Sequence, residues 1–262
     1  MNRSLIVANW KMNLNTQQAS LYVHRLSKIL TIHRSVEVVL APSLLTLQPL
    51  SLEIDHRKFK LASQNAYFKD EGAFTGEVSF TMLRDLADYA IIGHSERRIY
   101  FNEGLEEVRD KVAAAVRNGI TPILCIGESK PERLAGETKQ VIHDQLSTAV
   151  ANLTGAEIRD LVIAYEPVWA ISTFGGEVAK PFDMQKAIDY IRYQISELYG
   201  ADIAKQVRVL YGGSVNADSV SSYLALDGCD GALVGGASLN YQEFADIINK
   251  AYVVKHSAPA KS

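Results

Sequence analysis

The chain has 262 residues, 47% of them apolar and 22% charged, a balance that fits a soluble globular protein and excludes a disordered or fibrous one. That length suits one large domain, and a single α/β barrel commonly needs about this much chain. Lys and Arg number 27 against 30 Asp and Glu, a net charge of −3 with no basic run, so nucleic acid is not an expected partner.

The first apolar run, LIVANW (5–10), is interrupted by Asn9 and followed at once by Lys11. It is too short for a signal core or a membrane span, so the expectation is a cytoplasmic protein with no membrane partner. Counting Ser4, this run is the first of eight predicted strands: 4–10, 36–42, 60–66, 89–94, 121–127, 161–167, 207–213 and 231–236. Most are nearly continuous in apolar character, the habit of parallel strands covered on both faces. The segments between them carry helical periodicity. In 17–30 the stripe Leu21, Tyr22, Leu26, Ile29 and Leu30 is the expected buried face, and 106–116 and 184–199 behave similarly. Asn102 and Asn216 stand where N-caps belong, and Gly119 and Gly200 where helices should end.

Eight strands alternating with roughly eight helices predict a single α/β domain over 1–262, an eight-stranded parallel (β/α) barrel. A doubly wound sheet is the alternative, weakened by the lack of a GxGxxG turn after the first strand. Cys125 and Cys229 lie in or just before apolar strands without metal-binding spacing and read as buried free thiols. The tail KHSAPAKS (255–262) has lost the apolar period and is expected to be mobile.

In such a barrel, chemistry sits where the strands end at their C-termini. Strand one finishes in Asn9 and, after Trp10, Lys11; strand four in His94, then Ser95 and Glu96; strand six in Glu166. Strands seven and eight finish in Gly212, Gly213 and Ser214 and in Gly235 and Gly236. Each has a plain structural alternative: a solvated Lys, a structural His, an ordinary tight turn. Glu166 is more pointed, because Pro167 keeps the residue before it out of the helical region and holds that carboxylate in extended geometry. Lys11, His94 and Glu166 are distant in sequence and converge only if the barrel closes. The two glycine turns let backbone N–H groups approach an anion, which suits a phosphate. Neither matches GxxxxGK[ST], so a nucleotide is not implied.

The segments NWKMN (9–13), GHSERR (93–98), AYEPVWA (164–170), YGGSV (211–215) and GALVGGASL (231–239) together resemble the triosephosphate isomerase family. Gln64 and Asn65, GAFTGE (72–77) and PILCIGE (122–128) extend the resemblance over practically the whole length. It implies interconversion of dihydroxyacetone phosphate and glyceraldehyde 3-phosphate through an enediol or enediolate, in glycolysis and gluconeogenesis, with neither cofactor nor metal. By that resemblance Glu166 is the base, a neutral His94 donates to the substrate oxygens, Asn9 and Lys11 stabilise charge there, and Glu96 pairs with Lys11. Ser172, Ser214, Gly235 and Gly236 would hold the phosphate. The loop after strand six would close as a lid, a known property of the family, with Pro167, Val168 and Trp169 as its first hinge.

The chain departs from the family where the lid tip usually reads glycine-threonine-glycine. Ser172, Thr173, Phe174, Gly175, Gly176, Glu177 and Val178 stand there, in a loop about two residues longer, a change surface loops tolerate. The loop 65–80 has the aromatics and glycines of a protruding contact, and in the family it enters a pocket beside the partner's site. Thr75 matches its tip, so a homodimer is expected. Two other functions compete: a Schiff-base aldolase with Lys11 as nucleophile, and a phosphate-sugar-binding barrel that has lost turnover.

Overall fold

A computed structural model of the chain describes residues 3–31, 34–171, 173–174 and 178–257. Eight parallel strands close into a barrel in sequence order: β1 Ser4–Asn9, β2 Val36–Ala41, β3 Lys60–Ser63, β4 Tyr89–Ile92, β5 Thr121–Ile126, β6 Val162–Tyr165, β7 Arg208–Tyr211 and β8 Gly231–Val234. The seam joins β8 to β1 with Leu5 opposite Gly231. A Cβ on Gly231 would stand 1.9 Å from the Leu5 carbonyl oxygen, so the barrel closes here only around a glycine.

Alternation along each strand sorts the apolar residues into two cores. Leu5, Val7, Val39, Ile91, Ile123, Ala164, Leu210 and Leu233 fill the barrel interior. Their neighbours in the chain, such as Ile6, Leu40, Leu124, Ile163 and Val209, pack outward against the surrounding helices. At the N-terminal end the same inward phase places Glu37, Tyr89 and Arg208 across the barrel. The Tyr89 hydroxyl donates to Glu37, and Arg208 donates to that hydroxyl at 3.0 Å and to Glu37 at 3.4 Å. Burial, chiefly, pushes the Tyr89 phenol up to about 12, so this plug stays protonated at the ring.

Several expectations are corrected. β3, β4, β6 and β7 end at Ser63, Ile92, Tyr165 and Tyr211, so His94 and Glu166 sit just beyond the strands rather than closing them. In the helix Thr16–Ile29 the buried residues are Ala19, Tyr22, Val23 and Leu26, whereas Leu21 and Ile29 are 49% and 47% exposed. A 3.6-residue period carries Leu21 off the stripe that begins at Ala19, so the stripe expected to include Leu21 and Ile29 is too wide. Asn102 does not cap the helix Leu105–Arg117. Gly104 does, without a side-chain bond, while Asn102 takes a left-handed φ of 53° in the preceding turn. Asn216 caps a turn instead of a helix, its Oδ1 accepting from Ser219 N–H at 2.8 Å, and Ser219 precedes the helix Val220–Leu224. Gly119 and Gly200 do follow helices, at φ 73° and 91°. The last helix, Tyr241–Ser257, takes in the start of the supposed tail. Both cysteines are free, but Cys229 is only partly buried.

If the seam constraint is correct, Gly231→Ala should lower unfolding stability by about 3 kcal/mol, the upper end of ordinary overpacking. Leu21→Ala on the solvent face should stay within about 0.5 kcal/mol. Urea unfolding midpoints of the two variants check both, and equal midpoints would contradict the assignment.

Candidate active site

Asn9 shares the inward phase of Leu5 and Val7, so it projects into the C-terminal mouth of the barrel. Two residues on, Lys11 takes φ 52°, a left-handed conformation that costs a side-chain-bearing residue on the order of 1 kcal/mol. Three bonds hold it there. Its N–H donates to Asn9 Oδ1 at 3.1 Å, its carbonyl accepts from Gln64 Nε2 at 2.9 Å, and its Nζ donates to Glu96 Oε1 at 2.6 Å. The ammonium is therefore anchored at both ends of the residue.

His94 caps the short helix Ser95–Tyr100. Its Nδ1 accepts the Glu96 N–H at 3.2 Å, which leaves the ring proton on Nε2. Nε2 lies 3.2 Å from Glu166 Oε1. That contact is close but does not have hydrogen-bond geometry, so Oε1 is a buried oxygen with no hydrogen-bond partner. The other oxygen, Oε2, accepts the Ser95 N–H at 3.0 Å, and the side chain as a whole is 2% exposed. A carboxylate so placed is parked on one oxygen and free on the other. Burial first, then the nearby Glu166 charge, pushes the Cys125 thiol well above its ordinary range, which makes it an inert neighbour. Gly212 is required by close approach, since a Cβ there would come within 2.7 Å of Glu166 Cγ.

Asn9, Lys11, His94 and Glu166 line one cavity of about 330 Å³ together with Gly212, Gly213, Ser214, Gly235 and Gly236. Acid, base, cation and amide thus meet the two glycine turns at a single mouth. Ser214 is less free than the sequence suggests: its N–H and hydroxyl both donate to Ala170 O, at 3.2 and 2.7 Å. Nearby, the Tyr211 hydroxyl is buried with no partner, and its ring stacks on Tyr223 at 4.0 Å. The Tyr223 hydroxyl in turn donates to Ala179 O at 2.7 Å.

The loop after β6 begins in a 3₁₀ turn, Val168–Ala170, fastened to Glu128. Val168 N–H donates to Glu128 O at 3.0 Å, and the Trp169 indole N–H donates to Glu128 Oε1 at 2.9 Å. The Tyr165 hydroxyl donates to the same carboxylate, and Arg133 stands 3.7 Å from it and 4.1 Å over the Trp169 ring. Pro167, Val168 and Trp169 are therefore an anchored start to the loop. Thr173 and Phe174 lean against the helix Ser95–Tyr100 and do not line the cavity. Ser172, Gly175 and Gly176 lie outside the described residues. Thr75 is exposed on its own loop, away from this cavity.

Three residues that serve the site were not singled out for a role from sequence: Ser95, which parks the base; Gln64, which fixes Lys11; and Glu128, fully buried under the hinge. All three belong to segments that carry the family resemblance, but their work is done by bonds between distant loops that spacing does not reveal. Among the described residues no group of three or more His, Cys, Asp or Glu is placed to hold a metal ion.

The chain is similar to known proteins over nearly its whole length. The sequence model of the family described as triosephosphate isomerase matches residues 4–251. A triosephosphate isomerase of Streptococcus suis is 42% identical over 251 residues, covering 95% of this chain and all of the relative. That of Clostridium beijerinckii is 42% identical over 250 residues, again 95% of this chain and all of the relative. That of Dehalococcoides mccartyi is 39% identical over 256 residues, 98% of this chain and 99% of the relative. With a closed eight-stranded barrel, a single mouth holding Lys11, His94 and a buried glutamate, and matches of this length, the chain belongs to the triosephosphate isomerase family.

Proposed function

We propose that this chain interconverts dihydroxyacetone phosphate and D-glyceraldehyde 3-phosphate by moving a proton between neighbouring carbons through an enediolate, a step of glycolysis and gluconeogenesis. The observation that carries the reading is the shared cavity, in which a free carboxylate oxygen, an imidazole Nε2–H and an anchored ammonium face the same space. A carbon acid beside a carbonyl is too weak for an unaided carboxylate. The site must therefore stabilise charge where it appears, on the carbonyl oxygen.

Glu166 takes the proton from one carbon and returns it to the next, while the hydroxyl proton passes from one substrate oxygen to the other by way of His94, so the isomerisation balances. His94 offers its Nε2–H to the substrate oxygens, and its neutral tautomer is set by the Glu96 N–H on Nδ1. Lys11 and Asn9 supply the fixed positive and amide donors. Positioned acid–base groups contribute about 10²–10⁴-fold and each oxyanion donor about 10²–10³-fold, so several must act together. The backbone N–H groups of the Gly235 and Gly236 turn, and Ser214 once released from Ala170, provide the phosphate site. Closure of the β6 loop would free Glu166 from Ser95 and exclude water from the enediolate. A Schiff-base route finds less support, because Lys11 Nζ is held by a carboxylate at 2.6 Å, an arrangement suited to a fixed cation rather than a free amine.

The reading includes a homodimer. A second cavity of about 510 Å³ shares Asn9, Lys11 and His94 with the first and is bordered by exposed apolar side chains, Met12 at 95% and Phe101 among them. In the loop 65–80 Thr75 is exposed, and Tyr67 lies tilted against Phe68 and Phe74 at 4.5 and 4.7 Å. A partner's loop seated in that cavity would cover the apolar rim and close the far side of Lys11. No helix among the described residues is long and apolar enough to cross a membrane. A cytoplasmic location goes with a glycolytic activity.

Two outcomes test this. Glu166→Asp withdraws the base by one methylene, so kcat for dihydroxyacetone phosphate in a coupled assay should fall about 100-fold while KM stays within a few-fold. Unchanged turnover would remove Glu166 from its role. Met12→Glu places a charge on the apolar rim and should convert a dimer into a monomer by size-exclusion chromatography with light scattering, whereas a wild-type chain already monomeric at micromolar concentration would refute the dimer.

A further inference from the structure

Where the chain leaves the family pattern, Thr173 and Phe174 make contacts of their own. The Phe174 ring lies 5.6 Å from that of Tyr100, with the planes 34° apart, and Phe174 N–H donates to Ile171 O at 2.9 Å. Beside it, Thr173 Oγ1 donates to Glu96 Oε1 at 3.4 Å, the same oxygen that holds Lys11 Nζ at 2.6 Å. Both partners of the loop belong to the helix Ser95–Tyr100, on the β4 side of the mouth. The glycine turns expected to bind phosphate follow β7 and β8, across the barrel, and neither Thr173 nor Phe174 lines their cavity. Thr173 and Phe174 therefore stand away from the substrate space. The same state has Glu166 parked on Ser95, Trp169 bonded to Glu128 and Ala170 held by Ser214.

We infer that Tyr100 and Phe174 are positioning residues of the lid: their ring contact, backed by Thr173 on Glu96, latches the β6 loop onto the helix Ser95–Tyr100 until substrate draws it off. The inference rests on the reading that this loop closes over a bound triose phosphate. Tyr100 is 59% exposed, so its ring has little other apolar company and the pair is broken without disturbing the core. Any ligand that requires closure must first displace Phe174. Its apparent affinity is reduced by the fraction of molecules held in the latched state. A tilted aromatic pair of this kind shifts such an equilibrium about two- to tenfold. Because Thr173 and Lys11 share one oxygen of Glu96, release of the loop also leaves that oxygen to the lysine.

The test uses the full chain and glycerol 3-phosphate, which carries the phosphate but has no carbonyl and no acidic C–H. Tyr100→Ala and Phe174→Ala should each tighten its binding about two- to tenfold, measured as an inhibition constant and by direct titration. The double variant should bind no tighter than either single one, since both remove the same contact. Tyr100→Phe keeps the ring and should behave as the unmodified chain. The KM for dihydroxyacetone phosphate should fall by the same factor in the alanine variants, with kcat unchanged or lowered, a split that a loss of fold would not produce. Binding that is unchanged or weakened in the single variants, or effects that add in the double variant, would overturn the latch. An unmodified chain that binds glycerol 3-phosphate but does not turn over dihydroxyacetone phosphate would overturn the activity and leave the latch standing. One that neither binds glycerol 3-phosphate nor turns over dihydroxyacetone phosphate would overturn both.

Discussion

The site depends on the barrel closing with its side-chain phase intact. Each strand alternates between the interior and the helix layer, and a shift of one residue would exchange the two faces. Leu5 and Val7 lead to Asn9, Val162 and Ala164 to Glu166, Leu210 to Gly212, and Leu233 to Gly235. The inward positions that are apolar at mid-barrel thus become amide, carboxylate and glycine at the mouth. Backbone bonds carry this phase past the strand ends, with Glu166 N–H on Ile126 O at 2.7 Å and Gly212 N–H on Tyr165 O at 2.8 Å. Closure through Gly231 is what places the first of these strands near the seventh and eighth.

This dependence explains what could be read from the sequence. Near-continuous apolar runs such as VEVVLA at β2 are driven by burial on both faces and are visible in composition alone. The polar residues that break those runs stand out for the same reason, which is how Lys11, His94 and Glu166 were found. The strands end earlier than the apolar pattern suggests, because Gly93, Gly212 and Pro167 stay apolar or neutral in pattern while the backbone already turns. Leu21 and Ile29 fall off the expected stripe because the small Ala19, together with Val23, sets the buried face, and a stripe drawn through the larger residues is centred too far round the helix.

The supporting shell is not legible in the sequence, and the physical reason is that it consists of buried polar and charged groups whose partners are fixed only by the fold. Glu128 is fully buried, yet its oxygens accept from Tyr165 and Trp169 and face Arg133. Lys111 and Glu103 are each 1% exposed at the side chain, paired at 2.9 Å, with Asn65 also bound to Lys111 at 3.0 Å and Arg97 to Glu103 at 2.6 Å. Removing one member of such a set strands the others in low dielectric, so each residue constrains several elements at once. In a sequence, the same residues are indistinguishable from solvated charges on helix faces.

The site includes one strained residue, Lys11, and one carboxylate oxygen with an unmet bond, on Glu166, and the shell is what makes them bearable. Lys11 would leave its left-handed conformation if it were free to do so. Asn9, Gln64 and Glu96 fix its amide, its carbonyl and its ammonium separately, so relaxing the backbone would break three bonds to relieve about 1 kcal/mol. Glu166 keeps one buried oxygen unbonded because Ser95 holds the other and Gly212 leaves room beside its Cγ. A group in that condition gains from any partner that enters the cavity with an acidic hydrogen, whereas one already satisfied would have to give up a bond first. Readiness to act on a substrate and an incomplete set of hydrogen bonds are, for this carboxylate, the same physical property.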